Sequence, residues 1–286
     1  MDLSEAPESG NVQDMRGMKT AGGVIGGGAG ILILILGLIF GVDFNRLGIT
    51  GGGGGGGPPP NDKYKEFAAK VVGTLEVVWT KEFANPRNRY PVSRYEKPRL
   101  VLFSSAVRTG CGTAQSDVGP FYCPADDTMY LDPTFFRELS ERLRGSAAEF
   151  SQAYVIAHEN GHHVQNLLGF NKKVGRNDKA GSIRLELQAD YLAGVWAYHG
   201  QKEFHFIQRG DIDSAITTAR AIGDDRLQER GRGYVNPREF THGTSRQRIA
   251  AFTAGYRTGD ATMEKLDQFF RVRISGNGEL DDSVFE

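Results

Sequence analysis

Apolar residues recur every three to four positions over most of the chain after residue 60, which predicts a mostly helical protein. In one such stretch Ile183, Leu187 and Tyr191 fall on a single helical face. Terminal signals agree with this period, because Asp132-Pro133 favours a helix start and Gly169 a helix end. The pattern predicts helices at residues 63–80, 132–143, 147–168, 182–198, 211–228, 244–256 and 261–269.

Two shorter apolar stretches predict β-structure. The run of four apolar residues within residues 99–107 is typical of a buried strand. Residues 120–131 predict a hairpin, since Phe121-Tyr122 and Met129-Tyr130 flank a group of turn-forming residues. Residues 111–119 are rich in small polar residues and are expected to form a loop. The fold class predicted for this region is therefore α+β, mostly helical with a small β-sheet.

The first 61 residues follow a different pattern. Residues 1–20 are polar and predict a disordered N-terminus. Residues 21–42 carry no charged side chain, and 22 residues suffice to cross a ~30 Å hydrocarbon core as a helix. They predict one transmembrane helix rather than a cleaved signal peptide, because the apolar part is long and no clear cleavage site follows it. The glycine- and proline-rich residues 43–61 predict a linker, so the globular domain is expected at residues 62–286.

The charges around the predicted membrane span suggest its orientation. Arg16 and Lys19 precede it, whereas Arg46 is the nearby cation that follows. This bias predicts a cytoplasmic N-terminus and a domain outside the cytoplasm, which is the periplasm in a Gram-negative cell. Several glycines in the span have the G-x-x-x-G spacing of dimerising helices, but glycines that are merely tolerated in lipid give the same pattern. Dimerisation through the span therefore stays an open expectation.

Composition narrows the class of partner. The net charge is −1 with no basic excess, which argues against nucleic acid. The two cysteines, Cys111 and Cys123, predict one disulfide if the domain lies outside the cytosol and two free thiols if it does not. Neither cysteine has the spacing of a metal-binding motif, so a role as zinc ligand is disfavoured.

The strongest chemical signal is the sequence His158-Glu159-Asn160-Gly161-His162 within the predicted helix 147–168. Residues four apart share a helical face, so His158 and His162 can reach one metal ion. Glu159 lies beside the first histidine and can act on a water molecule at that metal. His163 points away from this face and is expected to be structural. Because two histidines at this spacing also occur by chance, the motif needs further support.

A catalytic zinc site needs a third protein ligand. One known arrangement continues the motif as H-E-x-x-H-x-x-G-x-x-H, but Gln165 and Leu168 stand here in place of its glycine and its third histidine. The alternative is a carboxylate on the next helix, where Glu186 and Asp190 are four residues apart and share a face. Glu186 is the candidate ligand, and Asp190 is the candidate acceptor for the second ring N–H of a ligand histidine. A solvated acidic face would give the same spacing, but the neighbouring residues on this face are apolar.

The motif H-E-x-x-H followed by E-x-x-x-D resembles the pattern of gluzincin metallopeptidases such as thermolysin. More closely, the chain resembles the bacterial neutral zinc metallopeptidase family. The matching segments are residues 158–165, 186–196 and 242–248, together with the glycine-rich residues 21–42 and the cysteine-containing stretch 111–123. The resemblance implies a zincin-like domain behind a single membrane span, and it implies no particular substrate.

Carried over to this chain, the resemblance implies one zinc ion held by His158, His162 and Glu186. It makes Glu159 the general base, which takes a proton from the attacking water and passes it to the leaving amine.

Stabilisation of the oxyanion needs a further group. Related peptidases supply a histidine or tyrosine from a later segment, which makes His242 the candidate, with Tyr234 and Tyr256 as alternatives. A surface or helix-capping histidine is an equally good interpretation of His242. The Phe121-Tyr122 strand resembles the edge strand that binds substrate in such peptidases, although an ordinary core strand would have the same pattern.

Two functions remain to be separated. The first is a membrane-anchored zinc endopeptidase that hydrolyses extracytoplasmic proteins or peptides. The second is a non-catalytic scaffold or binding domain in which zinc only joins two helices; a closed structural site, however, should have a fourth protein ligand and would not need Glu159. An intramembrane protease is excluded, because polar residues such as Gln152 and Asn160 interrupt the motif helix.

Overall fold

The structure is a computed structural model that describes residues 1–17, 62–175, 177–275 and 279–286. These residues are mostly helical, as the sequence predicted, and they form two small sheets where the sequence predicted one. The helices of this part of the chain are α1 (Tyr64–Ala84), α2 (Thr134–Glu141), α3 (Glu149–Leu168), α4 (Lys179–Phe204), α5 (Asp211–Ala221), α6 (Asp224–Arg232), α7 (Ser245–Thr258) and α8 (Met263–Arg271).

The larger sheet has four strands in the order β1-β2-β6-β5. Its first three strands run parallel, and β5 is an antiparallel edge strand beside β6. The strands are β1 (Val12–Asp14), β2 (Arg99–Leu102), β5 (Phe121–Cys123) and β6 (Thr128–Leu131), and a separate hairpin consists of β3 (Ala106–Thr109) and β4 (Gly112–Gln115).

The β3–β4 hairpin corrects the loop expected at residues 111–119. Strand β4 reads Gly-Thr-Ala-Gln and has no apolar run, so its extended conformation comes from pairing with β3 rather than from its own pattern. The hairpin is joined to the larger sheet by the disulfide Cys111–Cys123, which confirms the predicted bond. Cys123 lies in the edge strand β5, so the bond holds the hairpin against that strand.

Three helices cross closely at the centre of the domain, because glycines remove side chains from their contacts. A Cβ atom on Gly194 of α4 would lie 2.1 Å from the Phe252 carbonyl oxygen of α7. A Cβ atom on Gly255 of α7 would lie 2.0 Å from the Tyr191 carbonyl oxygen of α4. The two backbones are therefore in direct contact, which brings the C-terminal half of α7 against α4. Gly161 gives α3 a similar close approach to α4, since a Cβ atom at this position would lie 3.0 Å from backbone atoms of Ala189.

The predicted helix 211–228 is interrupted. The structure forms α5 and α6 with Gly223 between them, and a Cβ atom on Gly223 would lie 2.3 Å from the Ser245 backbone nitrogen. The close approach of α7 thus decides where the chain bends. Helical periodicity alone continues through this position, which is why the sequence pattern merged the two helices.

The N-terminal segment, residues 1–17, is ordered, which corrects the disorder expected for residues 1–20. Its strand β1 pairs in register with β2, with Val12 opposite Leu100. Val12 is buried in the main core, and Ala6 is buried as well. The folded domain therefore includes residues 1–17 and does not begin at residue 62.

The predicted single-pass topology is wrong. The expected transmembrane helix at residues 21–42 and the linker at residues 43–61 lie outside the described residues. Within the described part of the chain, no helix combines the length and the apolar composition that a membrane crossing requires. In addition, the guanidinium group of Arg16 forms an ion pair with Asp62, so the residues on either side of the undescribed stretch are in contact. A single crossing between them would place them on opposite sides of a membrane, which also overturns the predicted cytoplasmic N-terminus with an extracytoplasmic domain.

Candidate metal centre

Helix α3 presents the two histidines of the motif on one face. The ring centroids of His158 and His162 are 4.8 Å apart, as expected for residues separated by four positions. Gly161, which lies between them in sequence, lets α3 approach α4 closely. Helix α3 ends at Gly169 in the left-handed conformation, as predicted for this glycine. The close helix crossing places the face with both histidines against the part of α4 that carries Glu186.

His158, His162 and Glu186 each offer one ligand atom, and these atoms lie within 4.8 Å of one another. The Nε2 atom of His158 is 3.2 Å from Oε2 of Glu186, and Nε2 of His162 is 3.4 Å from Oε1. A tetrahedral zinc ion with bonds of ~2.0–2.1 Å needs ligand atoms about 3.3 Å apart. Two imidazoles and a carboxylate are donor types that zinc takes, and each histidine lies near this separation from one of the two Glu186 oxygens, so the residues fit a zinc ion in donor type and in their closeness.

The second ring nitrogen of each histidine is also held. Nδ1 of His158 is 2.8 Å from Oδ1 of Asp190, so it donates its N–H to that carboxylate and leaves Nε2 free to bind metal. Nδ1 of His162 is 2.9 Å from Oε1 of Gln165, whose amide nitrogen donates to the Leu185 carbonyl of α4. Both rings are thereby fixed in the tautomer that a metal ligand needs.

Asp190 is itself the centre of a buried network. It is completely buried and accepts a hydrogen bond from the Tyr154 hydroxyl at 2.5 Å. Arg248 of α7 binds both carboxylate oxygens, through Nε at 2.8 Å and Nη2 at 3.0 Å. Arg248 is also buried, so the pair is an ion pair inside the protein. The cation balances Asp190 and keeps that carboxylate ionised beside His158.

The ionisable groups of the cluster change one another's pKa values strongly. Burial raises the pKa of Glu186, but His162 and His242 outweigh it and hold that pKa well below its ordinary value. Burial lowers the pKa of His158, but Asp190 and Glu186 outweigh it and raise the pKa to about 10. Burial also raises the pKa of Glu159, against the opposing charges of the two histidines. Since a histidine must be neutral to bind metal, metal binding at this site releases protons.

His242 is held by a carboxylate as well. Its Nδ1 lies 3.0 Å from Oδ1 of Asp224, and Oδ2 of Asp224 accepts backbone N–H groups of Thr241, His242 and Gly243. The ring is nearly buried and lies close enough to lower the pKa of Glu186. Asp224 is completely buried, so it fixes both the ring and the turn that carries it.

The two alternatives to His242 are placed differently. Tyr234 is 59% exposed and lies beside Arg232. Tyr256 stacks on Phe252, an apolar residue of its own helix. Of the three predicted candidates, His242 is the one whose charge is among the causes that lower the pKa of Glu186.

Four residues of this site were missed from the sequence: Tyr154, Gln165, Asp224 and Arg248. The contact between Gln165 and His162 could have been predicted, because Gln165 lies three residues after His162 on the same helical face. Arg248 lies in the segment 242–248 that carried the family resemblance, but its contact with Asp190 depends on the crossing of α4 and α7. The local sequence pattern does not predict that crossing.

Comparison with known proteins gives one family and several relatives. The family described as "Putative neutral zinc metallopeptidase" matches residues 1–269. "Uncharacterized protein YpfJ" of Escherichia coli (strain K12) is 39% identical over 279 residues, covering 88% of this chain and 94% of the relative. "Uncharacterized protein Rv2575" of Mycobacterium tuberculosis is 47% identical over 178 residues, covering 58% of this chain and 61% of the relative. No solved structure matches the chain.

Proposed function

Since the chain belongs to the neutral zinc metallopeptidase family, which matches residues 1–269, we propose that it is a zinc-dependent endopeptidase that hydrolyses peptide bonds of proteins or peptides. The observation that carries the proposal is the convergence of His158, His162 and Glu186, whose ligand atoms lie within 4.8 Å of one another. Among the described residues no fourth protein ligand is grouped with these three, which leaves the fourth position of such a site for a water molecule or the substrate, as in catalytic zinc sites. A closed structural site would have a fourth protein ligand there.

Glu159 is the proton carrier in this proposal. Bound zinc supplies a Lewis acid that lowers the pKa of a water molecule and polarises the scissile carbonyl. The Glu159 carboxylate takes a proton from the attacking water and delivers it to the leaving nitrogen as the C–N bond breaks. Burial raises the pKa of Glu159, which favours a carboxyl group that can both accept and return a proton.

His242 is the proposed stabiliser of the oxyanion. Its Nδ1–H donates to Asp224, and a second proton on Nε2 would make it a donor to the negatively charged oxygen.

The edge strand β5 is the proposed place for the substrate backbone. It is antiparallel to β6 and has its other edge unpaired among the described residues. Tyr122 of this strand contacts His163 and Asn166 of α3 through its hydroxyl group. The strand is thus tied to the helix that carries Glu159, and its free edge is the proposed place at which a substrate backbone would be added as a further strand.

The test combines zinc analysis with Glu159→Gln. The variant is expected to keep one zinc per chain and the wild-type melting temperature, and to lose cleavage of an unfolded protein by ~10²–10⁴-fold. Glu149→Gln is the matched control, because Glu149 lies on the same helix but is exposed. It should keep full activity.

The same measurements separate the peptidase from a zinc-stabilised scaffold. A wild-type protein that binds stoichiometric zinc but cleaves no member of a random peptide library would support the scaffold. Equal residual cleavage by the wild type and Glu159→Gln would show that the activity belongs to a contaminant.

A further inference from the structure

Residues 1–17 contact the domain in the way that a bound peptide would. They are joined to the remainder by the 44 residues numbered 18–61. Strand β1 extends the sheet at β2, on the edge opposite β5. The Leu100 amide donates to the Asn11 carbonyl at 2.9 Å, and the Met15 amide donates to the Leu102 carbonyl at 2.8 Å. Without this segment β2 would be an unprotected edge strand.

Helix α1 has a surface that fits the backbone of this segment. A Cβ atom on Gly73 would lie 1.9 Å from the Pro7 carbonyl oxygen, so any larger residue would collide with the segment. The Ser9 amide donates to the Ala69 carbonyl of the same helix at 3.0 Å. Glycine in the middle of a helix costs ~0.8–1.0 kcal/mol relative to alanine. Its presence in α1 is explained by the close passage of residues 7–9.

Glu76, one helical turn further along α1, binds the segment by its side chain. Its Oε1 accepts hydrogen bonds from the Ser9 hydroxyl at 2.5 Å and from the Asn11 amide at 2.7 Å. Its Oε2 is 2.8 Å from Nζ of Lys97. Glu76 is only 6% exposed, so its carboxylate depends on these partners. Removal of the segment would take away Ser9 and Asn11 and leave Lys97 as the partner of the Glu76 carboxylate.

The residues beside Lys97 contact the back of α3, the helix that carries Glu159. The Glu96 carbonyl accepts a hydrogen bond from Nε2 of His163 at 2.6 Å. The Tyr95 hydroxyl accepts one from the Asn160 amide at 2.6 Å. Asn160 and His163 directly follow the proposed base and the second proposed metal ligand in sequence. A continuous set of contacts therefore joins the N-terminal segment to the back of α3, the helix whose other face carries the metal-binding residues.

We propose that residues 1–17 are an intramolecular peptide ligand of the surface formed by β2, Gly73 and Glu76, and that their docking fixes segment 95–97 and through it the geometry of α3. Undocking would loosen the helix that carries the candidate site without removing any residue of that site. The occupant is the chain's own N-terminal segment. The control of activity by this docking rests on the proposed peptidase function, whereas the docking itself does not.

The test measures hydrogen–deuterium exchange on the full zinc-loaded chain. Gly73→Ala should release the segment while favouring helix α1, and amide exchange in residues 7–15 should rise by about tenfold or more. Exchange should also rise in residues 95–97 and at the C-terminal half of α3. Gly231→Ala is the matched control, since Gly231 is a helical glycine with open space around it. It should leave both regions unchanged.

A second variant separates the segment from its surface. Val12→Asp places a charge in the core position of β1 and leaves the surface intact. It should undock the segment, and a synthetic peptide of residues 1–17 added in trans should restore protection of residues 95–97. The same peptide should not restore protection in Gly73→Ala, because the surface is blocked there.

Three results would overturn the inference. The first is unchanged exchange of residues 7–15 in Gly73→Ala. The second is release of the segment with no change at residues 95–97 and in α3. The third is a wild-type dimer in sedimentation that Gly73→Ala converts to a monomer, which would assign the occupant to a second copy. A wild type that shows the coupled exchange but cleaves no substrate would contradict the proposed function alone.

Discussion

Replacement of Arg248 by methionine is the sharpest test of how the candidate site is supported. The variant keeps an unbranched side chain of similar length but removes the buried cation from Asp190. Arg248 spans both carboxylate oxygens at 2.8 and 3.0 Å, and both residues are buried. Asp190 would keep the hydrogen bonds from Tyr154 and His158 but would lose its balancing charge. The expected result is a large loss of stability and a weaker zinc site.

The magnitude follows from the burial of the pair. Removal of one partner of a buried ion pair costs ~3–5 kcal/mol, because the other charge stays in a medium that solvates it poorly. For a domain of this size each kcal/mol lowers the melting temperature by about 2–4 °C, so the expected decrease is about 6–20 °C. Loss of groups that orient metal ligands typically lowers metal affinity by ~10–100-fold. Zinc affinity of Arg248→Met should fall within that range.

The assays are urea unfolding of the metal-free protein and zinc titration against a chelator of known affinity. Arg246→Met is the matched control on the same helix, because Arg246 is 56% exposed in its surface ion pairs. Exposed pairs contribute ~0–1 kcal/mol, so this variant should change stability little. The double variant Asp190→Asn with Arg248→Met should lose clearly less free energy of unfolding than the sum of the losses in the two single variants, since neither charge is then left alone. The reasoning would be refuted if the losses in the free energy of unfolding were additive, or if Arg248→Met lost less than about 1 kcal/mol.

Three further predictions concern other parts of the domain. His242→Gln should keep zinc and lower kcat by ~10²–10³-fold, and Asp224→Asn should lower kcat in the same direction, in steady-state assays against the proposed substrate class. Replacement of Cys111 and Cys123 by alanine should cost ~2–3 kcal/mol in urea unfolding, because the bond closes a short loop of sequence separation 12. Burial holds the pKa of His163 below 6.5, so the unfolded chain binds its proton first and stability falls as pH drops through about 6.5. His163→Gln should remove this part of the pH dependence in urea unfolding of the metal-free protein; an unchanged dependence would exclude a buried neutral imidazole.

The sequence predicted those parts of the structure that depend on local periodicity. The helix of residues 147–168 was placed almost to the residue, because its apolar period and the stop at Gly169 agree. His158 and His162 were paired by the same helical spacing, and Glu186 was added as the carboxylate on the following helix that completes a known ligand pattern; the structure brings the three together. These predictions needed one fact beyond the local pattern, namely that consecutive helices pack face to face.

The failures have a common physical cause in contacts between distant segments. Strand β1 has only three residues and looks like polar N-terminal sequence, yet pairing with β2 orders it. Gly223 looks like a tolerated helix glycine until Ser245 is placed against it. The partner of Asp190 was missed because Arg248 lies 58 residues away along the chain. An apolar run indicated a membrane span, but it carried no information on where residues 1–17 lie.

The contact between Arg16 and Asp62 has a consequence for the connectivity of the chain. Because the two ends of residues 18–61 meet there, the domain closes a loop of 44 residues whenever it folds. Replacement of these residues by about six glycine and serine residues, which reach ~20 Å when extended, would still join the ends. The entropy of closing the shorter loop is smaller by about 2 kcal/mol. A shortened chain of this kind should fold with β1 in place and unfold at higher urea concentration than the full chain, so the connection between the two parts of the domain need not be long.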